Sequence, residues 1–198
     1  MNEKPILFNA EMVNAILSGR KTQTRRIMGN QPAGQDLEAV HVRHNDDFNF
    51  QWYGNLGESS YFPCPLGKPG DQLWVRECFS DLEDFDFFNP SVPDVIPGYW
   101  YWADGNPEWG NWTKPKPSIH MPRWASRINL MITGVRVERL QDISEQDAMA
   151  EGVSANEHSP ARYVFGSLWQ SIYGADNPKS WQANPWVWVI EFERMEAK

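Results

Sequence analysis

Gly19-Arg20-Lys21-Thr22-Gln23-Thr24-Arg25-Arg26 places four cations within eight positions of a chain that is acidic as a whole. A lysine among arginines feels their positive charge. If it is also partly buried, its pKa falls to where it can act as a base or activate a nucleophile. Thr24 adds a hydroxyl that, within hydrogen-bond reach of Lys21, can attack a carbonyl or orient a water. The plainer reading of the same run is a solvated basic turn, with Thr24 closing it or sitting in a strand. Arg25 and Arg26 point to opposite sides if the run is extended, so one faces any cleft and the other enters a surface ion pair.

Two further groups carry polar chemistry. Arg76 and Glu77 follow one another at the end of an apolar run, pointing to opposite faces, and an internal ion pair is the alternative to a ligand role for either. His120, Arg123, Trp124 and Ser126 lie together ahead of Arg127, a mix suited to stacking a base and holding a phosphate, or else to pinning down the end of an insertion. The four histidines show no ligand spacing beyond a lone His41-x-x-His44, so no metal is expected. Neither a phosphate-cradling glycine loop nor a nucleophile elbow is present, and no cofactor is expected.

The elements that must position these residues come from one domain. A chain of 198 residues buries one good core and is short for two, so residues 1–198 read as a single body with insertions at about 28–66 and 80–117. A formal charge of -8 argues against a long nucleic acid held by a basic face, while the local basic knot favours a small anionic or polar ligand. Cys64 and Cys78 fit neither a disulfide framework nor a zinc site and read as free thiols of a reducing compartment. Without a leader-like start or a run of about 18 apolar residues, a cytoplasmic protein with no membrane partner is expected. Eleven tryptophans, several in polar and proline-rich surroundings, suggest that some are stacking surfaces.

Pro5 to Phe8 can open a sheet, and Asn9 can cap a helix carrying Val13, Ile16 and Leu17, with Gly19 as its left-handed terminator. Ala39 to His44 and Phe48 to Tyr53 read as a hairpin about Asn45-Asp46-Asp47. After the turn at Lys68-Pro69-Gly70-Asp71, Gln72 to Cys78 reads as a strand. Ser80 to Ser118 reads as a long loop with a short strand at Tyr99 to Trp102. Arg127 to Leu140 alternates as a strand with a bulge or corner at Gly134. Ser144 to Asp147 is a capping box for a short helix that ends at Glu151-Gly152. Phe165, Leu168, Trp169, Ile172 and Tyr173 mark an amphipathic helix over 161–173, and Trp186 to Phe192 alternates as a last strand.

The helix followed by Leu17-Ser18-Gly19-Arg20-Lys21-Thr22-Gln23-Thr24-Arg25-Arg26, then Lys68-Pro69-Gly70-Asp71-Gln72-Leu73-Trp74-Val75-Arg76-Glu77, then the long strand leading to Ile143-Ser144-Glu145-Gln146-Asp147-Ala148 and Glu151-Gly152, resembles the ASCH family of the PUA-like superfamily. The closing Asn184 to Phe192 strand fits the same pattern, and the chain looks like the larger ASCH-domain proteins of phages and prophages. The resemblance implies an α+β fold: a mixed β-barrel of five to six strands with flanking helices, two inserted loops and a cleft for nucleotides or RNA. It also implies kinship with small amidohydrolases acting on N4-acetylcytidine, whose proposed reacting group maps onto Lys21, Thr24 and Glu151, and it favours Arg26 as the cleft-facing arginine. In that reading Arg25, Arg26, Arg76, Glu77, His120, Arg123, Trp124 and Ser126 hold a nucleoside or short nucleic acid. A reader of RNA or modified nucleotides, a ribonuclease, and a phage accessory protein binding a host protein stay open beside the hydrolase.

Overall fold

The computed structural model describes residues 2–32 and 39–196; residues 33–38, inside the first expected insertion, lie outside that description. In chain order the elements are β1 (Glu3–Leu7), α1 (Ala10–Leu17), β2 (Gln23–Ile27), β3 (Val40–His44), β4 (Asn49–Gly54), β5 (Gly57–Glu58), β6 (Phe62–Pro63), β7 (Gln72–Arg76), β8 (Phe79–Asp84), β9 (Tyr99–Tyr101), β10 (Asn111–Trp112), β11 (Asn129–Arg139), α2 (Glu145–Ala150), α3 (Ala161–Tyr173) and β12 (Trp186–Arg194). The fold is mixed α+β.

Local signals account for most of these bounds. The Asn9 side chain accepts the Met12 N–H at 2.9 Å and starts α1, and Gly19 leaves it at φ +74°. Ser144 caps α2 by accepting the Asp147 N–H. The β11–β12 register shifts between Ile132 and Gly134, which is the bulge expected at that glycine.

The main sheet runs β1-β7-β11-β12-β2, with β1 parallel to β7 and every other pair antiparallel. No backbone pairing between the edge strands β1 and β2 closes it among the described residues, so the sheet is open rather than a sealed barrel. The two edges nevertheless approach one another: Arg26 in β2 donates from Nη2 to the carbonyl of Leu7 in β1 at 2.8 Å.

β12 is the shared layer. Trp186, Trp188, Ile190 and Phe192 pack into the larger core, whereas Val187 and Val189 pack on the other face with Phe165 and Trp169 of α3. Its run Trp186-Val187-Trp188-Val189-Ile190 is continuously apolar because both faces are buried, not half-buried as simple alternation suggests.

Neither expected insertion is a plain loop. β3 to β6 form a small antiparallel sheet, including the hairpin read from sequence, and Phe50 and Trp52 drive into the main core. Phe50 meets Trp188 edge-on at 4.9 Å, and Trp52 meets Trp186 at 5.0 Å. Residues 80–117 hold a second small sheet in the order β10-β8-β9, where Trp109 lies edge-on to Trp112. Sequence separation hid the first sheet's place in the core: an apolar residue in a polar, glycine-rich stretch shows no period when its partner, as Trp188 is for Phe50, lies over a hundred positions away.

Phe50→Ala should therefore lower stability by about 3–5 kcal/mol in urea unfolding, the cost of emptying a core aromatic site. A loss within about 0.5 kcal/mol, as for a surface loop, would show that residues 28–66 are not part of the core.

Candidate active site

The site is assembled where the end of α1 meets the end of α2. After Gly19, the Arg20 and Lys21 N–H groups both donate to the Ala15 carbonyl, and Thr22 donates to Ala150 at 2.8 Å. Lys21 and Glu151 form an isolated antiparallel bridge, so backbone pairing sets their side chains together. Gly152 permits this approach. It sits at φ +95°, and a Cβ there would stand 2.8 Å from the Ala15 Cβ and 3.1 Å from the Lys21 Cβ.

Lys21 donates from Nζ to Glu151 Oε2 at 2.7 Å and to the Glu151 carbonyl at 2.8 Å, the two side chains being 0% and 4% exposed. Arg25, equally buried, donates from Nη1 to Glu151 Oε1 at 3.2 Å and from Nη2 to Glu138 Oε2 at 2.9 Å. Its Nε finds no acceptor among the described residues. Arg136 extends the network from β11, reaching Glu138, Glu191 and, at 2.9 Å, Asp147.

Burial pushes the Lys21 ammonium below its ordinary value of 10.5; Glu151 pulls it back only in part, while Arg26 and Arg25 push it further down. Asp147 goes the other way. Burial raises its pKa, but the Ser144 hydroxyl, Arg136 and Arg25 together hold the carboxyl below 3.8.

Against this network lies a cleft of about 500 Å³, to which both edge strands contribute. Thr24, Arg25, Arg26 and Glu151 supply its polar side; Leu7, Ile27, Leu66, Leu168, Ile172 and Tyr173 are among its apolar walls. Lys21 stands behind Glu151 rather than on the cleft surface. Thr24 is 1% exposed, and its hydroxyl accepts from Arg26 Nη1 at 3.0 Å rather than bonding to Lys21. Arg26 stacks over Phe8 at 5.1 Å. Both arginines thus border the cleft: Arg25 is the fully buried ion-paired one, and Arg26 the half-buried one that spans the sheet edges.

The second sequence group lies elsewhere. Arg76 donates to the Met121 carbonyl at 2.9 Å and stacks on Trp74. Glu77 is gripped by Arg127 at 2.9 and 3.0 Å, and Arg127 also holds Asp104 and covers the Tyr101 ring at 4.1 Å. Burial raises the Glu77 pKa, and Arg127 opposes it. Arg123 pairs with Glu3, Ser126 donates to the Val75 carbonyl, His120 is exposed in a short 3-10 turn, and Trp124 is 70% exposed beside Tyr99. None of these lines the cleft. Arg123 ties this segment to β1 through Glu3, and Arg76, Glu77, Ser126 and Arg127 tie the end of β7 to it.

Sequence reading missed Glu138, Arg136 and Asp147. The signal was present: Arg136 and Glu138 occupy one face of β11 two residues apart. His41 lies tilted against Tyr53 and His44 stacks on Phe48, and among the described residues no three His, Cys, Asp or Glu side chains are grouped to hold a metal. Cys64 and Cys78 are free. No helix is long and apolar enough to cross a membrane.

No family model, curated protein or solved structure matches the chain, so the ASCH resemblance rests on its motifs.

Lys21→Met should cost about 3–5 kcal/mol by leaving Glu151 short of a partner, whereas Lys21→Met/Glu151→Leu should recover most of that loss in the same denaturant assay. Stability contributed by the depressed Asp147 carboxyl is complete above its unfolded pKa and lost as pH falls through the lower folded one. The urea midpoint should accordingly drop below about pH 4, and Asp147→Asn should flatten that drop.

Proposed function

We propose that the chain hydrolyses an exocyclic amide on a modified base or nucleoside of the N4-acylcytidine type. The observation that carries this reading is the convergence of Lys21, Thr24 and Glu151: Lys21 and Glu151 are 130 positions apart in sequence and 2.7 Å apart in space, and Thr24 and Glu151 border one cleft of small-molecule size. The motif resemblance named the same three residues.

In this proposal a water held by the Thr24 hydroxyl attacks the acyl carbon while its proton passes to the Lys21–Glu151 pair. Burial makes Lys21 a weaker holder of its own proton, so the pair can take up and return one. The developing oxyanion lies toward Arg26. The acyl carbon–nitrogen bond then breaks, the proton moves from the pair to the leaving nitrogen to give a free amino group, and the carboxylic acid formed loses its remaining proton to solvent as it leaves as the carboxylate. Tyr173, on the cleft wall, supplies a face for a pyrimidine ring.

Purified protein incubated with N4-acetylcytidine should release cytidine and acetate, and Thr24→Val, which keeps the side-chain shape, should slow release by about 100-fold or more with unchanged circular dichroism. Salt-sensitive oligonucleotide binding with no turnover of any acylated cytidine would overturn the hydrolase in favour of a nucleic-acid reader.

A further inference from the structure

Resting on that reading, we infer that the cleft selects amides with a medium-length aliphatic or aryl acyl group over acetyl. Its charged groups, Arg25, Arg26 and Glu151, and the Thr24 hydroxyl come from β2 and the end of α2, with Asn9 and the Tyr173 hydroxyl as further polar groups on the lining. The rest of the wall is aliphatic and aromatic, and much of it comes from α3, from β1 and from Leu66 at the end of the first small sheet.

Two wall residues are conspicuously uncovered: Leu7 is 42% exposed and Ile172 is 51% exposed. Single exposed apolar residues need no explanation, but these two border the same opening and continue its buried apolar surface outward to solvent. An acetyl group would offer one methyl to that wall. A chain of four to six carbons, or a phenyl ring, would run from the reacting carbonyl along Leu168 and Ile172 and take both the wall and the substituent out of water. At the polar end, the half-buried Arg26 lines the cleft and is the donor for the carbonyl oxygen. Polar anchor and apolar trough together describe an amphipathic amide, with the base held at the polar end.

The test is kcat/KM for N4-acetyl-, butanoyl-, hexanoyl- and benzoylcytidine. Each added methylene should raise kcat/KM about three- to fourfold, the factor given by burying one CH2, until the chain reaches the mouth. Ile172→Glu, at a half-exposed position that tolerates charge in the fold, should flatten that slope. A flat or falling series with acetyl turned over overturns this inference and leaves the hydrolase standing, as does a slope undiminished in Ile172→Glu. If no amide is turned over, calorimetric binding of the corresponding N4-alkylcytidines decides: affinity that rises with chain length upholds the apolar subsite without the hydrolase, and affinity independent of length removes both.

Discussion

The buried contact between Lys21 and Glu151 is the constraint around which the remaining polar structure is arranged. Two opposite charges withdrawn from water are tolerable only when geometry is good and the remaining donors and acceptors are satisfied. Glu151 meets this condition with Lys21 on one oxygen and Arg25 on the other. Arg25 then needs further acceptors and finds Glu138, which in turn engages Arg136 and through it Asp147 and Glu191. One buried amine thereby ties α1, β2, β11, α2 and β12 together. The glycine at 152 follows from the same contact, since any side chain there would push Ala15 and Lys21 away.

The apolar structure answers to β12 in a comparable way. A strand buried on both faces needs a layer on each side, and here α2 and α3 supply one and the small sheet of β3 to β6 the other. Several tryptophans are accounted for by this demand: Trp186 and Trp188 fill one face of β12, Trp52 meets Trp186 from across the core, and Trp169 lies on the far side. Trp74, flanked by Arg76 and Arg123, is a stacking surface for the protein's own cations.

What sequence made legible divides along the range of the interactions. Caps, terminators and helical period are local, and Asn9, Gly19, Ser144, Gly134 and the 161–173 stripe all mark the elements they indicated. The hairpin of β3 and β4 and the short strand at Tyr99 were legible, but the hairpin's place in the core was not, because Phe50 and Trp52 have partners far along the chain, and the rest of residues 80–117 read as loop because the strands are short and interrupted by proline and glycine. The site divides likewise. Lys21, Thr24 and Glu151 were named by motif; the contact of Lys21 with Glu151 and the shared cleft of Thr24 and Glu151 are tertiary. The partners of Arg76, Glu77, Arg123 and Ser126 were not legible, because a charged or hydroxyl side chain at the end of a strand looks the same whether it faces a ligand or bonds Met121, Arg127, Glu3 or Val75.

The open edge of the sheet connects the two halves of this argument. Had β2 and β1 paired by backbone, the space between them would be filled by main-chain hydrogen bonds. Arg26 instead reaches across to the Leu7 carbonyl, so one long side chain substitutes for part of a ladder and leaves room beside it. α3 then covers the gap with Leu168, Ile172 and Tyr173, and β2 presents Thr24, Arg25 and Arg26 to it. The cleft is therefore a consequence of the unclosed seam, and its polar side is the same strand that the buried Lys21–Glu151 contact holds in place. A device that stabilises the fold by network also fixes the orientation of the groups facing the cleft, which is why fold and candidate chemistry depend on the same few residues.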